Sequence, residues 1–339
     1  LELSPIYGLF GETQCAPARL APALTPDGPM LKGLKKYAPP SPPIDKRLLE
    51  ICIKSYEDLL NSCPPPMDIE RELLTFEEAC AGITGNQYFP SLNKSKSAGF
   101  PLSFDATKGK HKWFGSGDWD FTRKEWFELK QELIQEERML KQGIVPNYVF
   151  VDTLKDEKRP IEKVKAGKTR VFAAAPMKFS ILFRRYFSGF LAYMARTKID
   201  NEVSVGTSVS SLDWGHTVDK LQFNKQDPTM IAGDFSNFDG TVHYDIFQRI
   251  GQMIDDWYCD EHSKVRMLLW GCISQAKHIC HDLVYQMTHG QPSGNPSTAV
   301  SNSIYNSIAT RYAVGYVLGY HEARNFNANF RMVAYGDDN

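Results

Sequence analysis

The sequence predicts an α+β fold of more than one lobe, and three observations carry that reading. Helical patterns recur along the chain, short apolar runs ending in acidic turns lie between them, and 339 residues are enough to bury a large core. Hydrophobic residues at 42% and charged residues at 23% match a globular protein. Seven cysteines (15, 52, 63, 80, 259, 272, 280) show no paired framework, and an odd count in a long chain fits a reducing compartment. No apolar run reaches the roughly 20 residues that a bilayer span needs. The nearest, Phe179 to Ala195, carries Arg184 and Arg185 in its middle. The chain opens at Leu1 with neither a signal peptide nor an initiator methionine, and it reads as a piece of something longer.

In chain order, residues 1–44 are rich in proline and poor in periodicity. They predict an extended arm lying across the fold, with Ile6, Tyr7, Leu9 and Phe10 as apolar anchors. Asp45 caps a helix to about Leu60 that puts Leu48, Leu49, Cys52, Tyr56 and Leu59 on one face. A short helix follows over Thr75–Ala81. Ser97-Ala98-Gly99-Phe100-Pro101, behind Lys94 and Lys96, lets a backbone approach a ligand closely, with an ordinary turn as the competing reading. In the lysine-containing loop 108–119, Trp113 and Phe114 either stack bases or fill a core beneath the loop. Thr122-x-x-Glu125 reads as a capping box opening a scaffold helix to about Gln142, ended by Gly143.

Gly167 predicts a hairpin turn and Arg170–Ala173 a strand leaving it; Lys178–Thr197 follows as a helix with apolar and basic faces. Thr229–Phe235 reads as a buried strand, and about Val242–Tyr258 as a helix with Ile246, Phe247, Ile250, Met253, Ile254 and Trp257 as its stripe. Cys272, His278, Cys280 and His281 invite a zinc reading, but their spacing fits no closed site well. The small-residue loop Gln291–Thr298 feeds a helix to about Leu318, with Pro296 in its first turn.

Two acidic corners carry the chemistry. Met332-Val333-Ala334 enters a tight turn, Tyr335-Gly336-Asp337-Asp338-Asn339, and Met230-Ile231-Ala232 leads to Asp234-Phe235-Ser236-Asn237-Phe238-Asp239. Adjacent carboxylates repel, and a divalent cation relieves that repulsion. Convergence of the two corners would make one metal site. The net charge of −1 argues by itself against a nucleic-acid binder, but its distribution does not. Residues 155–198 hold twelve Lys and Arg against three Asp and Glu, a local +9 that leaves −10 elsewhere. That predicts a phosphate-facing surface beside a separate cation site, against the plainer reading of a solvated charged face. Thr298 and Asn302 are four apart on one helix face and could read a sugar hydroxyl, or simply serve capping.

From about Ser97 onward these motifs, in this order, resemble the RNA-dependent RNA polymerases of picornavirus-like positive-strand RNA viruses. The resemblance implies a right hand: fingers with the arm at 1–186, palm at 187–271, a fingers insertion at 272–290 and palm again at 291–339, with the thumb missing. It implies Asp234, Asp337 and Asp338 as catalytic, metal-binding carboxylates for two Mg2+ ions, with Mn2+ as a substitute. Asp239, Thr298, Asn302 and Ser293 would recognise the ribose, Ser293 and Gly294 forming a mobile loop. Lys155, Arg159, Lys163, Lys168 and Arg170 would hold the nucleoside triphosphate, and Ser97, Ala98 and Gly99 the template. The implied partners are an RNA template and primer strand, NTPs, a protein primer and other viral replication proteins, in the host cytoplasm at replication complexes. Asn295-Pro296-Ser297 departs from the family's small residues after Ser-Gly, which predicts a stiffer loop. A reverse transcriptase, which also carries paired aspartates after a tyrosine, and an RNA-binding piece without catalysis are the competing readings.

Overall fold

The computed structural model describes residues 11, 13–21, 24–105, 109–222 and 229–339; the expected anchors Ile6, Tyr7, Leu9 and Phe10, and Lys108, lie outside them. From Gln14 onward the arm lies across the fold. Strand β1 (Cys15–Pro17) pairs antiparallel with Lys158–Pro160, and Thr169 Oγ1 donates to Arg19 O at 2.8 Å. Helix α1 (Pro29–Leu34) lays Met30 on Leu154 and Val171, and the chain then makes a tight turn at Lys35–Tyr37.

Helix α2 (Lys46–Ser62) starts as expected, with Asp45 Oδ1 accepting from Leu48 N at 3.0 Å. Helix α3 (Phe76–Ala81) is opened by a capping box between Thr75 and Glu78. The box expected at Thr122 does not form. Asp120 Oδ1 takes both the amide and the hydroxyl of Thr122, at 3.0 and 2.7 Å, so α4 (Lys124–Gln142) begins behind Arg123 instead. Gly143 closes it at φ +90°. Trp113 and Phe114 are core aromatics: Phe114 packs on Trp119, Phe121 and Trp126 with ring centroids 4.9–6.2 Å apart.

The four-stranded sheet has the order β4-β2-β5-β6, from β2 (Val149–Leu154), β4 (Val171–Ala174), β5 (Lys277–Cys280) and β6 (Leu283–Gln286); β3 is Lys158–Pro160. β2 runs antiparallel to β4 and parallel to β5, and β6 returns antiparallel on β5. Gly167, at φ +66°, is not a hairpin tip. It closes the helical turn Ile161–Lys165, donating to Val164 O at 3.0 Å.

Helix α5 (Met177–Arg196) fills the core with Phe179, Phe183, Phe187 and Phe190, each contributing on the order of 2 kcal/mol by burial. Its cations turn inward, which corrects the expectation of one continuous phosphate-facing stretch. Lys178 pairs with Glu132 and Glu136 at 3.0 and 2.6 Å, Arg184 Nε donates to Ala79 O, Arg185 pairs with Glu137 and Arg196 with Glu70. In the Lys155–Arg170 half, by contrast, Lys163 and Lys168 are exposed with no ion pair among the described residues.

The buried strand expected over Thr229–Phe235 is extended but exposed, with Ile231 89% accessible, and makes a single ladder bridge at Asp234. The short helix α6 (Phe238–Thr241), α7 (Tyr244–Tyr258) and α8 (Ser263–Ser274) follow; Trp270 of α8 donates to Phe247 O at 2.8 Å. Cys272 Sγ donates to Leu268 O, and the buried His278 shares Asp152 Oδ1 at 2.9 Å. Among the described residues no three His, Cys, Asp or Glu side chains gather as a metal site, so the zinc reading falls. Helix α9 (Thr298–Leu318) ends the loop 291–297, with Ser297 rather than Pro296 at its boundary. No helix among the described residues is long and apolar enough to cross a membrane.

Candidate active site

The two acidic corners meet. Asp234 and Asp338 form an antiparallel bridge, and beside it Gly233 and Asn339 exchange both backbone hydrogen bonds, at 2.9 and 3.1 Å. The turn itself closes between Tyr335 and Asp338, whose amides and carbonyls pair at 2.9 and 3.2 Å across Gly336 at φ +64°. That places Asp337 at the tip.

Helix α9 holds this turn from below. Ser303 Oγ accepts from Gly336 N at 2.8 Å, while Asn306 Nδ2 donates to Gly336 O and Asp338 O at 3.2 and 3.3 Å. Asn339 Nδ2 donates back to Asn306 Oδ1 at 2.7 Å. The strand end leading in is fixed as well: Ala334 N donates to Glu202 O at 2.7 Å and Ser204 N to Ala334 O at 2.9 Å. Glu202 is in turn gripped by the fully buried Arg311 of α9, at 2.7 and 3.0 Å. One helix therefore sets the height and the register of the acidic turn.

Asp234, Asp337 and Asp338 are exposed, and among the described residues none of them forms an ion pair. Among the described residues these three carboxylates do not gather into a three-ligand cluster. The donors fit a hard divalent cation: oxygen ligands on two adjoining backbones, uncommitted to any cation of the protein.

Facing them is the basic ribbon. Lys155, Arg159 and Arg170 converge on Glu157: Lys155 Nζ at 3.3 Å, Arg159 Nη1 at 3.6 Å, and Arg170 through two bonds, Nε to Oε1 at 2.6 Å. The hydrogen bonds from Arg170 first, then the charges of Arg170 and Lys155, hold the Glu157 carboxyl down at about 2. Arg170 is pushed above its ordinary value by the bond to Glu157, and further by the charges of Asp337 and Asp239. Arg170 thus feels the charge of the acidic turn through Asp337 and that of Asp239. Lys163 and Lys168 are exposed outside this knot, with no ion pair among the described residues.

The residues expected on the sugar side have separate surroundings. Gln291 N donates to Asp239 O at 2.8 Å, and Lys36 Nζ meets Asp239 Oδ2 at 3.3 Å. Asn302 Oδ1 and Ser293 Oγ are buried without a hydrogen-bond partner, the kind of orphan a ligand hydroxyl relieves. Thr298 Oγ1 instead donates to Asn295 O at 2.9 Å, so its hydroxyl is engaged in the helix start. Gly294 bridges Ala174 at the end of β4, and a Cβ there would overlap Ala173 O, so the loop is pinned to the strand that follows Arg170. Asn295 Oδ1 accepts from Ser297 N and Oγ at 2.9 and 2.8 Å, bracing the loop internally. Of the expected template residues Ser97 is exposed, whereas Ala98 and Gly99 are buried against the residues after β4, Met177 N donating to Ala98 O at 2.8 Å.

The profile of the family described as viral RNA-dependent RNA polymerase matches residues 17–339. The chain belongs to that family. It is 38% identical to the replicase polyprotein of Acute bee paralysis virus and 37% identical to that of Cricket paralysis virus, in each case over 99% of this chain. It spans 18% and 20% of those polyproteins, about a fifth of their length. A solved Sicinivirus 3Dpol RNA-dependent RNA polymerase shares its fold with a TM-score of 0.76 at 24% identity, covering 99% of this chain and 66% of that one. The polymerase fold expected from the motifs is thus the fold found.

Several residues that shape this candidate site escaped the sequence reading: Lys36 and Tyr37 on the arm, Glu157 inside the ribbon, and Glu202, Ser303, Asn306 and Arg311 beneath the turn. The last three had a signal. Small polar and charged residues recur at helical spacing on α9 among apolar neighbours, and such positions stay buried only when something satisfies them.

Proposed function

We propose that the chain is the fingers-and-palm part of an enzyme that copies an RNA template by adding nucleotides to an RNA 3′-hydroxyl. The single observation that supports this most is the Asp234–Asp338 bridge, which joins the two acidic corners next to Asp337, whose charge acts on Arg170. In the reaction the 3′-oxygen bonds to the α-phosphorus, the bond to the bridging oxygen breaks and pyrophosphate leaves. Asp234, Asp337 and Asp338 would hold two Mg2+ ions, with Mn2+ as a substitute. Such ions, when bound, supply activation of the hydroxyl and charge neutralisation on the leaving group. Lys155, Arg159 and Arg170 bind the triphosphate, exchanging the Glu157 carboxylate for phosphate oxygens, and the exposed Lys163 and Lys168 draw it in. Asp239, Asn302 and Ser293 orient the ribose by its hydroxyls, and a deoxynucleotide leaves those buried acceptors unpaired. Thr298 supports them through the loop. Ser97, Ala98 and Gly99 border the template path.

In this reading residues 1–186 and 272–290 serve as fingers and 187–271 and 291–339 as palm. The enzyme works on primed RNA with NTPs, with a protein primer and other replication proteins as partners, at replication complexes in the host cytoplasm. The test is Asp337→Ala in a polymerase extended to the length of its solved relative. Incorporation is abolished while RNA retention stays largely intact; continued turnover would refute the assignment. RNA binding indifferent to both magnesium and Asp337→Asn, without turnover in the parent, would instead mark a non-catalytic RNA binder.

A further inference from the structure

The N-terminal arm reaches the sugar side of the site, and its contact is specific. Lys36 Nζ lies 3.3 Å from Asp239 Oδ2 and 4.8 Å from the centre of the Tyr37 ring, with the two side chains 17% and 23% exposed. Oδ1 of the same carboxylate has no hydrogen bond among the described residues. The backbones meet just as closely. A Cβ on Gly240 would overlap Lys36 O, and one on Gly290 would stand 2.7 Å from Asp239 O and 3.2 Å from the Tyr37 ring. Asp239 therefore sits in a corner made by the arm, by the loop through Gly290 and Gln291, and by α6. Burial first, then the charges of Asp239 and Asp152, push the Tyr37 hydroxyl far up, so it stays neutral and adds no competing negative charge.

We propose that Lys36 is a positioning residue for sugar selection: it ties down one oxygen of Asp239 so that the other is presented to a ribose hydroxyl. This rests on the reading of Asp239 as a ribose-sensing residue. A free aspartate populates several rotamers, and a discriminating acceptor must stand in one of them. The ammonium selects that rotamer at the cost of no oxygen the hydroxyl needs. The same arm is laced to the phosphate ribbon through β1 and β3, so it joins the group that reads the sugar to the groups that grip the phosphates.

The experiment compares kcat/KM for ribonucleotides and 2′-deoxynucleotides in the full-length polymerase carrying Lys36→Met, Lys36→Arg or Asp239→Asn. Methionine keeps the aliphatic stem over Tyr37 and removes only the charge. Lys36→Met is expected to reduce the preference for ribonucleotides about fivefold, the factor a partly exposed ion pair supports, and Lys36→Arg to restore most of it. A purely structural role would lower both substrates together and leave the ratio alone. An unchanged ratio in Lys36→Met beside a collapsed ratio in Asp239→Asn overturns the proposal and leaves the reading of Asp239 standing. An unchanged ratio in Asp239→Asn overturns both.

Discussion

Replacing Arg311 by leucine removes the cation from the ion pair under the acidic turn. Arg311 is fully buried, bonded to Glu202 Oε2 at 2.7 Å and Oε1 at 3.0 Å, to Asn327 Oδ1 at 2.7 Å and to Ser307 Oγ at 2.5 Å, and its guanidinium lies 4.3 Å from the centre of the Phe326 ring. Leucine fills part of the space but strands the Glu202 carboxylate, itself 2% exposed. Breaking a buried pair from one side costs about 3–5 kcal/mol, because an uncompensated charge is left inside. Set against a total stability of roughly 5–15 kcal/mol, that is about a fifth of the margin or more. Equilibrium urea unfolding measures the loss directly. The double variant Glu202→Gln with Arg311→Leu removes the stranded charge, and should regain most of it. The same weakening reaches the site, because Glu202 O and Ser204 N hold Ala334; amide exchange at 204 and 334 should accelerate in the single variant. A single variant that loses less than about 1 kcal/mol, or a double variant no better than the single, would refute the argument that charge pairing holds this register.

Three further outcomes are expected. Glu157→Gln should leave Lys155, Arg159 and Arg170 without their carboxylate partner and, on the proposed function, tighten nucleoside triphosphate binding, measured by equilibrium titration; weaker binding would show that Glu157 shapes the cradle rather than competing for it. Because its folded value of about 2 lies below the ordinary 4.5, Glu157 contributes stability that is complete above pH 4.5 and disappears as pH falls through 2, so the stability difference between parent and Glu157→Gln should close over that window. Gly99→Ala puts a Cβ into the Ala175 carbonyl at a residue with φ +69° and should cost more than about 1 kcal/mol, read from the urea midpoint. Asn302→Ala should narrow the preference for ribonucleotides; an unchanged ratio removes that residue from sugar recognition.

Much of this was legible in the residues. The long helices read well because their stripes are strict: the apolar positions of α7 and the capping Asp45 of α2 predicted both faces and a start. The acidic turn read well because Gly336 and its two aspartates allow little else. What could not be read was which polar groups find each other across the chain. Thr122 looked like a cap until Asp120 took its hydroxyl. Arg184 and Arg185 counted toward the basic stretch 155–198, yet they meet Ala79 O and Glu137, far away in sequence. The 229–235 run is apolar enough for a buried strand, but it gains only one bridge, at Asp234. Composition carries no partner, and these outcomes were decided by partners.

The parallel seam between β2 and β5 has a consequence for how the molecule is made. Val149 is registered with Lys277, so residues 155–276 intervene between the two strands that must lie side by side. Pairings this distant are slow to find and depend on chain made much later. During synthesis on the ribosome, the β2 edge that receives β5 stays open until Lys277–Cys280 has emerged. A nascent chain arrested before residue 277 should therefore expose that edge to proteolysis or to a chaperone, and one released after residue 286 should not.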